Sequence, residues 1–370
     1  MNRSAAVSSS SGASRVQPER WSMADIAKRF AENPILRPAD IRPSIEGMKV
    51  ECLLNPGVFR FNDKTWLLLR VAERPEQKPG KTSFPILGAK GELQILEFDN
   101  SDPKLNRADP RVIGYDGKDY LTTMSHFRLV ASGDGINFAE DPSYPAMFGQ
   151  GELESYGIED CRVVQIGETY YLTFTKVSEH GVGVGLRSTT DWRNILQHGM
   201  ILPPHNKDCA IFGEQIGGKY YALHRPSSPA IGGNYIWIAA SPDLVHWGRH
   251  RCLAHSRTGM WDSARVGAGA APIRTPEGWL EIYHGANDEH RYCLGALLLD
   301  LESPWKVLAR SREPIMEPVA DYERTGYYGN VVFTNGHMVD GDTVTLYYGA
   351  SDSVICGARF SLQEILQTLR

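Results

Sequence analysis

The sequence predicts an all-β protein of the β-propeller type, and three observations support this prediction. A unit of two apolar strands joined by a tight turn recurs along the 370-residue chain, at a spacing of about 50 to 60 residues that is typical of propeller repeats. The turns carry dipeptides such as ND, DG, GE and GD, which favour β-hairpins. Helix signals are few, and strands and helices do not alternate as a parallel α/β sheet requires.

The repeat unit occurs six times along the chain. In order, the six units are "GVFRFNDKTWLLLRVAE", "RVIGYDGKDYLTTMS", "RVVQIGETYYLTFTKV", "AIFGEQIGGKYYALHRP", "APIRTPEGWLEIYHGA" and "TNGHMVDGDTVTLYYGAS". Several units are followed by a further strand and a polar turn, as in "IWIAASPDLVHW". Because a propeller directs its innermost strands at a central channel, we expect polar residues at corresponding places in the repeats to face one pocket.

The two ends of the chain differ in composition from the repeats. The predicted parts are a Ser-rich disordered tail (1–20), an N-terminal helical segment (21–44), the propeller domain (45–358) and a C-terminal helix (359–370). Ser22 and Ser361 are candidate helix caps, and Pro34 is a candidate stop. Segment 73–92 is rich in Pro, Gly and Lys, which predicts an exposed loop.

The overall composition limits the classes of partner. A formal net charge of −5 and a pI of about 6.1 give no reason to expect nucleic acid or a membrane surface. No run of about 18 apolar residues is present, so no transmembrane helix is predicted. The six scattered cysteines form no CxxC pair and no metal-ligand spacing, which predicts reduced thiols, a cytoplasmic location and no metal site.

Charged and aromatic residues gather at the junctions of the repeats. The stretch "ESYGIEDCRVV" places two adjacent carboxylates, Glu159 and Asp160, at the start of a strand, although Asp is a poor strand former. Since neighbouring side chains on a strand point to opposite faces, we expect only one of these two carboxylates to face the channel. A channel of carboxylates, arginines and aromatic rings suits a sugar. Alternatively, Asp160 and Arg162 form a salt bridge that joins two blades.

Six ordered motifs resemble glycoside hydrolase family 130. The motifs are "GIEDCRV", "HNKDCAIF", "GKYYALHRP", "WDSARVGAG", "GWLEIYHG" and "LYYGASD", and together they extend over most of the chain beyond residue 45. The resemblance implies a five-bladed β-propeller, and the members of the family are β-mannoside phosphorylases and β-mannosidases. With six units and five blades, the first two units are expected to share one blade, with residues 73–108 as an insertion.

The resemblance also implies roles for individual residues. Asp160, in "EDCR" where the family has "DPR", corresponds to a general acid that protonates the leaving oxygen through a hydroxyl of the bound mannose. With Asp160 facing the channel, the resemblance implies that Glu159 points away from it. The positions that correspond to the phosphate site are Lys207, Asp208, Arg265 and His284, of which Asp208 departs from the family's amide. Sugar-binding positions map to Asn55, Arg70 and Asp352, and the further substrate-binding candidates at repeat junctions are Asp109, Arg128, Arg162, Asp262 and Tyr283.

These assignments predict an enzyme that cleaves the β-mannosidic linkages of manno-oligosaccharides with inversion, by phosphorolysis to α-mannose 1-phosphate. Inorganic phosphate is then the co-substrate, and no other cofactor is expected. The alternative is an inverting β-mannosidase, a hydrolase in which Glu214 or Glu281 activates water. Two further hypotheses are a propeller glycosidase of the furanosidase type and a carbohydrate-binding propeller without catalytic activity. The linkage type, β-1,2 or β-1,4, and the formation of a homo-oligomer stay open.

Overall fold

The computed structural model of the protein describes residues 25–88, 91–108, 112–227 and 231–370. These residues form 26 strands but only two short α helices, α1 (Asp321–Arg324) and α2 (Leu362–Gln367), so the prediction of an all-β protein is confirmed. Two single turns of 3-10 helix lie at Pro38–Asp40 and Glu152–Glu154. None of the helices in the described part of the chain has the length and apolar character that spanning a bilayer requires.

Five antiparallel sheets follow one another along the chain, and we number them in that order. The strands of sheets 1 and 2 are β2 (Met48–Phe61), β3 (Lys64–Pro75), β9 (Met124–Ser132) and β10 (Ala139–Glu140), then β11 (Ile158–Ile166), β12 (Thr169–Ser178), β13 (Gly181–Thr189) and β14 (Leu196–Leu202). The strands of sheet 3 are β15 (Asn206–Ile211), β16 (Tyr220–Pro226), β17 (Ile236–Ser241) and β18 (Gly248–Ala254).

The last two sheets complete this series. The strands of sheet 4 are β19 (Arg265–Gly267), β20 (Ile273–Thr275), β21 (Gly278–Ala286), β22 (Tyr292–Leu299) and β23 (Val307–Arg310). Those of sheet 5 are β24 (Val332–Asp340), β25 (Thr343–Ala350), β26 (Val354–Ser361) and the N-terminal β1 (Lys28–Arg29). Sheet 5 is therefore built from both ends of the described chain.

Tight turns with left-handed residues join the first strands of the repeats. In the β2–β3 hairpin, Asn62 and Asp63 have φ angles of 48° and 58°, the conformation that a two-residue type I′ turn requires. Asn and Asp tolerate positive φ better than most residues because their short side chains bond to the local backbone. The dipeptide ND in the first repeat unit thus fixes the register of sheet 1.

Each hydrophobic core lies between two successive sheets. The five clusters are represented by Leu68 with Leu172 (sheets 1 and 2), Leu186 with Ile211 (2 and 3), Leu223 with Leu297 (3 and 4), Leu294 with Leu346 (4 and 5), and Leu67 with Ile355 (1 and 5). All of these side chains are buried. Because sheet 5 packs on sheet 1 as well as on sheet 4, the sheets follow each other in a closed cyclic order.

One of the six predicted repeat units does not belong to these five sheets. Between β3 and β9 the chain forms two small separate sheets, with strands β4 (Lys81–Leu87), β5 (Leu93–Asp99), β6 (Leu105–Asn106), β7 (Val112–Tyr115) and β8 (Lys118–Leu121). The second unit forms the β7–β8 hairpin there. The exposed loop predicted over 73–92 is wrong for most of its described residues, although residues 76–80 are exposed. Residues 73–75 belong to β3, and 81–87 form β4, in which residues 82–85 are buried and Phe84 stacks on Phe98 with centroids 5.5 Å apart.

The predicted N-terminal helical segment (21–44) is also wrong over its described residues, 25–44. Lys28 and Arg29 form strand β1, which pairs with β26, and the Phe30 amide donates to the Gly357 carbonyl at 2.9 Å. Pairing with a sheet edge satisfies these backbone groups and outweighs a weak local preference for helix. At the other end, the Ser361 side chain caps α2 by accepting from the Glu364 amide. The tail predicted over 1–20 lies outside the described residues.

Candidate active site

A cavity of about 420 Å³ opens where the first strands of the sheets converge. Its size lies in the range of small-molecule sites. Most of its lining side chains are polar or aromatic, and they include Asn55, Arg70, Glu159, Asp160, Lys207, Asp208, Arg225, Arg265, Tyr292, Tyr327, Tyr328, Phe333 and Asp352. Seven residues that the sequence assigned to acid, phosphate or sugar positions are thus brought together: Asn55, Arg70, Asp160, Lys207, Asp208, Arg265 and Asp352.

Bulges in the first strands position the key side chains. The pairing register shifts between Leu54 and Gly57 in β2, between Glu159 and Arg162 in β11, and between Lys207 and Ala210 in β15. The bulged residues Asn55, Asp160 and Asp208 have φ angles of 29°, 51° and 53°. A bulge lets two consecutive side chains point to the same side of a strand, so Asp is placed in a strand here because the strand is irregular.

The bulge in β11 overturns one prediction from the sequence. Glu159 does not point away from the channel but lines the cavity beside Asp160. Its Oε1 accepts from Arg70 Nη2 at 2.9 Å, while Asp160 Oδ1 accepts from Arg70 Nη1 at 3.0 Å. The strict alternation of a regular strand fails because the ladder is interrupted between Glu159 and Arg162.

The carboxylate of Asp160 is held in its ionised form. Burial by itself would raise its pKa, but the positive charges of Arg70, Arg162 and Lys207 outweigh burial and lower the pKa below the ordinary value. Asn55 Nδ2 also donates to Asp160 Oδ1 at 3.1 Å. An ionised, buried carboxylate with a fixed orientation is a strong acceptor for a sugar hydroxyl.

Asp352, which lines the same end of the cavity, behaves in the opposite way. Burial raises its pKa to about 6; the charge of Arg70 opposes this rise, and the negative charges of Asp160 and Glu159 add to it. Two neighbouring carboxyl groups with clearly different pKa values are typical of sites that carry out acid–base catalysis. We call the part of the cavity around Asn55, Arg70, Asp160 and Asp352 the acid end.

Arg162 is buried beneath the cavity and connects three segments of the chain. Its guanidinium donates to the main-chain oxygens of Gly269 at 2.8 Å and of Asp160 at 2.9 Å, and it lies 3.3 Å from Asp208 Oδ1. The alternative prediction of a side-chain salt bridge between Asp160 and Arg162 is therefore wrong, since Arg162 binds the main chain of Asp160. Arg162 instead fixes the two bulges and the start of sheet 4 relative to one another.

Positive charge collects at the opposite part of the cavity, which we call the cation end. Lys207, Arg225 and Arg265 all line it. Arg225 Nη1 lies 2.9 Å from Asp208 Oδ2, and Arg265 Nη1 donates to the Tyr292 hydroxyl at 3.2 Å. Arg225 is one of the charged residues at the repeat junctions, but no specific role was predicted for it from the sequence. The signal was available, because Arg225 on β16 is the pairing partner of Lys207 on β15, and hairpin spacing predicts such a neighbour.

Several buried nitrogen atoms at the cation end have no hydrogen-bond partner among the described residues. They are Arg225 Nε, Arg265 Nε and His284 Nδ1. Burial, which dominates over the charge of Asp208, lowers the pKa of His284 to about 4, so its ring is neutral at neutral pH. The two guanidinium Nε–H groups are donors, and leaving buried donors unsatisfied is unfavourable. Together with the positive charges of Lys207, Arg225 and Arg265 they fit an oxyanion.

The structure places the other predicted residues away from the cavity lining. Glu214 is half exposed and pairs with Arg274 at 3.0 Å. Glu281 is fully buried; its Oε1 accepts from the Gly269 amide at 2.7 Å, and burial raises its pKa well above the ordinary value. Asp262 and Tyr283 belong to a separate buried cluster.

The Asp262 cluster and Arg128 have partners of their own. Asp262 Oδ2 accepts from the Tyr283 hydroxyl at 2.8 Å and pairs with Arg257 and Arg310 at 2.8 and 2.6 Å. Arg128 pairs with Glu140 at 2.7 Å on the outer strands of sheet 1. Asp109 lies outside the described residues. The substrate-binding roles of these residues stay predictions.

Comparison with known proteins identifies the family. The family Glyco_hydro_130, described as beta-1,4-mannooligosaccharide phosphorylase, matches residues 107–370. The chain belongs to glycoside hydrolase family 130. This membership confirms the resemblance of the six ordered motifs.

Named relatives match from about two thirds to nearly all of the chain. The chain is 46% identical over 347 residues to a protein of Listeria innocua named "Beta-1,2-mannobiose phosphorylase", which covers 92% of this chain and 98% of the relative. It is 31% identical over 252 residues to the "Beta-1,4-mannooligosaccharide phosphorylase" of Ruminococcus albus, covering 65% of this chain and 74% of the relative. The solved structure of the Listeria innocua enzyme with β-1,2-mannobiose superimposes with a TM-score of 0.87 over 93% of this chain and 99% of that chain.

Proposed function

We propose that the protein is an inverting phosphorylase that cleaves β-1,2-linked mannobiose and related manno-oligosaccharides to α-mannose 1-phosphate. The observation that carries the proposal is one cavity with two chemically distinct ends. A buried carboxylate, Asp160, lies at the acid end, and three cationic side chains, two of them with an unsatisfied Nε donor, lie at the cation end. Phosphorolysis needs both features, because phosphate must be desolvated and directed at the sugar carbon while the leaving oxygen receives a proton.

The acid end holds the mannosyl unit whose linkage is cleaved. Asn55, Arg70 and Asp352 supply donors and acceptors for its hydroxyl groups, and the tyrosines at the rim, Tyr327 and Tyr328, cover the cavity mouth. The glycosidic C–O bond breaks as its oxygen takes a proton from a mannose hydroxyl, which Asp160 replenishes. A phosphate oxygen forms the new C–O bond on the opposite face of the sugar, so the anomeric configuration inverts.

Phosphate binding also controls the proton on Asp160. In the sugar-free cavity, the charges of Arg70, Arg162 and Lys207 keep the pKa of Asp160 low. A phosphate dianion at the cation end offsets the charge of Lys207 and adds negative charge nearby, and both effects raise the pKa of Asp160. The acid therefore becomes protonated when the nucleophile is in place.

The positions of the two candidate bases support phosphorolysis over hydrolysis. An inverting hydrolase requires a second carboxylate that holds water on the far side of the sugar, about 6.5–9.5 Å from the acid. Glu214 is paired with Arg274 on the surface, and Glu281 is buried against the Gly269 amide. In the described part of the chain, neither residue lines the cavity.

The proposal also includes the propeller architecture, the linkage type, the co-substrate and the cellular location. Five sheets in a closed cyclic order, each with its first strand at the cavity, support a five-bladed β-propeller. Similarity to the Listeria innocua enzyme supports the β-1,2 linkage. Inorganic phosphate is the co-substrate, with no other cofactor. The six cysteines, none in a disulfide, suit a cytoplasmic location, and homo-oligomer formation stays open.

Product analysis tests the proposal. The purified protein is incubated with β-1,2-mannobiose or β-1,4-mannobiose, with and without inorganic phosphate. We expect mannose 1-phosphate and mannose only when phosphate is present, with the β-1,2-linked substrate preferred. Free mannose in phosphate-free buffer would instead identify a hydrolase. Binding of sugar without any product would identify a carbohydrate-binding protein, and turnover of arabinosides or fructosides would identify a furanosidase.

A further inference from the structure

The buried carboxylate of Asp208 is an unusual component of an anion site. Asp208 lies in the bulge of β15 at the cation end and is 2% exposed. Its Oδ2 lies 2.9 Å from Arg225 Nη1 and 3.3 Å from His284 Nε2, and its Oδ1 lies 3.3 Å from Arg162 Nη2. The cationic groups around it compensate its charge, but they do not explain why a carboxylate lines a cavity that is built for an anion.

The carboxylate keeps a free capacity to accept a hydrogen bond. Oδ2 forms an ion pair with Arg225 and, when His284 Nε2 carries the ring hydrogen, accepts from His284; it accepts no other hydrogen bond from the described residues. An ionised carboxylate can only accept, and it has about four lone-pair positions. Since Asp208 lines the cavity together with Lys207, Arg225 and Arg265, a ligand at the cation end that carries its own O–H group would find an acceptor there.

We propose that Asp208 makes the cation end selective for a protonated oxyanion, accepting a hydrogen bond from the P–OH group of hydrogen phosphate and rejecting sulfate. This inference rests on the proposed function, because it specifies which anion the phosphorylase accepts. Near neutral pH, hydrogen phosphate and sulfate have nearly the same size and the same charge, but only hydrogen phosphate carries a proton. Against sulfate, Asp208 presents a buried negative charge with no hydrogen to bind, which is unfavourable.

The same contact orients the nucleophile. With the protonated oxygen held at Asp208, the unprotonated oxygens face Lys207 and Arg265 and the mannosyl carbon. The new bond forms from one of these oxygens to carbon. The proton on phosphate takes no part in the transfer and leaves with the product, mannose 1-phosphate, as its acidic hydrogen.

The surroundings of Asp208 fix its carboxylate closely. Gly267 on β19 lies against it: a Cβ atom added there would lie 2.4 Å from Asp208 Oδ2 and 2.4 Å from His284 Nε2. Arg162 holds the other oxygen, Oδ1. A carboxylate that is fixed on both sides cannot rotate away from an unprotonated anion, so selection by its charge is effective.

Competition between anions tests this inference. Phosphorolysis of β-1,2-mannobiose is measured near neutral pH at varied phosphate, with sulfate as the inhibitor and arsenate as a second protonated anion. We expect the inhibition constant of sulfate in the wild type to exceed the KM for phosphate at least about tenfold, and arsenate to support mannose release. Sulfate that inhibits at concentrations near the phosphate KM would overturn the inference.

The variant Asp208→Asn removes the charge and supplies an amide donor. In this variant we expect the preference for phosphate over sulfate to fall at least about tenfold, mainly through tighter binding of sulfate. Asp352→Asn is the matched control, because it makes the same change at the acid end; it should alter the KM for mannobiose and leave the sulfate-to-phosphate ratio as in the wild type. An unchanged ratio in Asp208→Asn would contradict the inference.

Two outcomes separate the inference from the proposed function. If the wild type forms no mannose 1-phosphate, the proposed function fails, and calorimetric binding of phosphate and sulfate to the sugar-free protein still tests Asp208. If turnover occurs but sulfate binds as tightly as phosphate, only the inference fails. Should Asp208→Asn not fold, the wild-type comparison of phosphate, arsenate and sulfate decides the question.

Discussion

At the scale of single residues, the charges around Asp160 set its pKa and therefore whether the proposed general acid carries a proton. Its carboxylate shares Arg70 with Glu159 and lies near Lys207, which lines the cation end. In the proposed mechanism, the acid therefore stays deprotonated until phosphate binds, and in that state it cannot supply the leaving oxygen with a proton. The proposed dependence of the acid on the nucleophile would also protect a bound disaccharide from reaction with water.

The first prediction concerns Asp160 itself. We expect Asp160→Asn to lower kcat for phosphorolysis by about 10²–10⁴-fold, the range of general acid catalysis, because the amide cannot transfer a proton. The fold should be retained, since Asn tolerates the positive φ of this position. Steady-state kinetics with β-1,2-mannobiose and circular dichroism check both parts. A variant with more than a tenth of wild-type kcat would contradict the assignment.

The second prediction concerns Asp352 and the pH dependence of stability. Because its pKa is about 6 in the folded protein and near 3.8 when unfolded, the folded state binds its proton more tightly. This stabilising contribution is complete below about pH 4 and is lost as the pH rises through 6. Asp352→Asn should therefore raise the free energy of unfolding by about 1–2 kcal/mol at neutral pH.

Denaturant titrations at several pH values check this prediction. The difference between Asp352→Asn and the wild type should shrink as the pH is lowered from 7.5 towards 4. The same variant should bind mannobiose more weakly, since it loses a charge-assisted acceptor. A stability difference that does not depend on pH would show that Asp352 ionises normally in the folded protein.

Among the elements, the bulged first strands turn a repetitive scaffold into a site. A regular strand would direct alternate side chains into the cavity, whereas the bulges of β11 and β15 each direct two consecutive side chains there. Close approach of β19 then completes the cation end, where Gly267 leaves room for the side chains of Asp208 and His284.

The third prediction tests this close approach. In Gly267→Ala, the added methyl group must displace Asp208 or His284, so we expect the KM for phosphate to rise at least about tenfold while the KM for mannobiose changes little. Gly248→Ala is the matched control, because a Cβ there meets no atom within 4 Å. Equal effects on both substrates, or an effect of Gly248→Ala, would contradict a local role for Gly267.

The sequence predicted the elements well and the bulges poorly. Alternating apolar residues and ND or GD turns identify hairpins because both signals are local. The misplaced Asp160 indicated an irregularity, but the direction of Glu159 depends on where the ladder of β11 is interrupted, which its pairing with β12 determines. No specific role was predicted for Arg225 for a related reason, because its place at the cation end arises from its pairing with Lys207 across a hairpin.

Over the whole molecule, the N-terminal strand completes sheet 5, the sheet whose packing on sheet 1 closes the cyclic order. Arg29 on β1 pairs with the buried Glu323 at 2.7 Å and with Asp25 at 2.9 Å, and Tyr348 on β25 donates to the same Glu323. These contacts attach the start of the described chain to sheet 5. Six repeat units were counted from sequence, and the first two were wrongly expected to share one blade, because a hairpin in the β4–β8 insertion has the same local pattern as the first hairpins of the five sheets.

The fourth prediction concerns this closure. Arg29→Ala leaves the buried carboxylate of Glu323 without its cation, so we expect the free energy of unfolding to fall by about 2–4 kcal/mol. Lys28→Ala is the matched control, because Lys28 is exposed and pairs with the exposed Glu364; it should change stability little. Thermal and denaturant unfolding measure both variants. Equal stability of the two would show that the Arg29 contacts do not hold the closure.

Pairing of β1 with β26 has a consequence for biosynthesis. Arg29 and Glu323 are 294 residues apart in the chain, so β1 leaves the ribosome long before its partner strand exists. Until sheet 5 is made, the apolar face of sheet 1 that packs on sheet 5 has no partner. Asp352, which follows β25 in sheet 5, cannot yet join Asn55 and Arg70 in the cavity. Nascent chains that stop before this point expose apolar surface, which makes them substrates for chaperones, and the cell gains a working cavity only when the last sheet is complete.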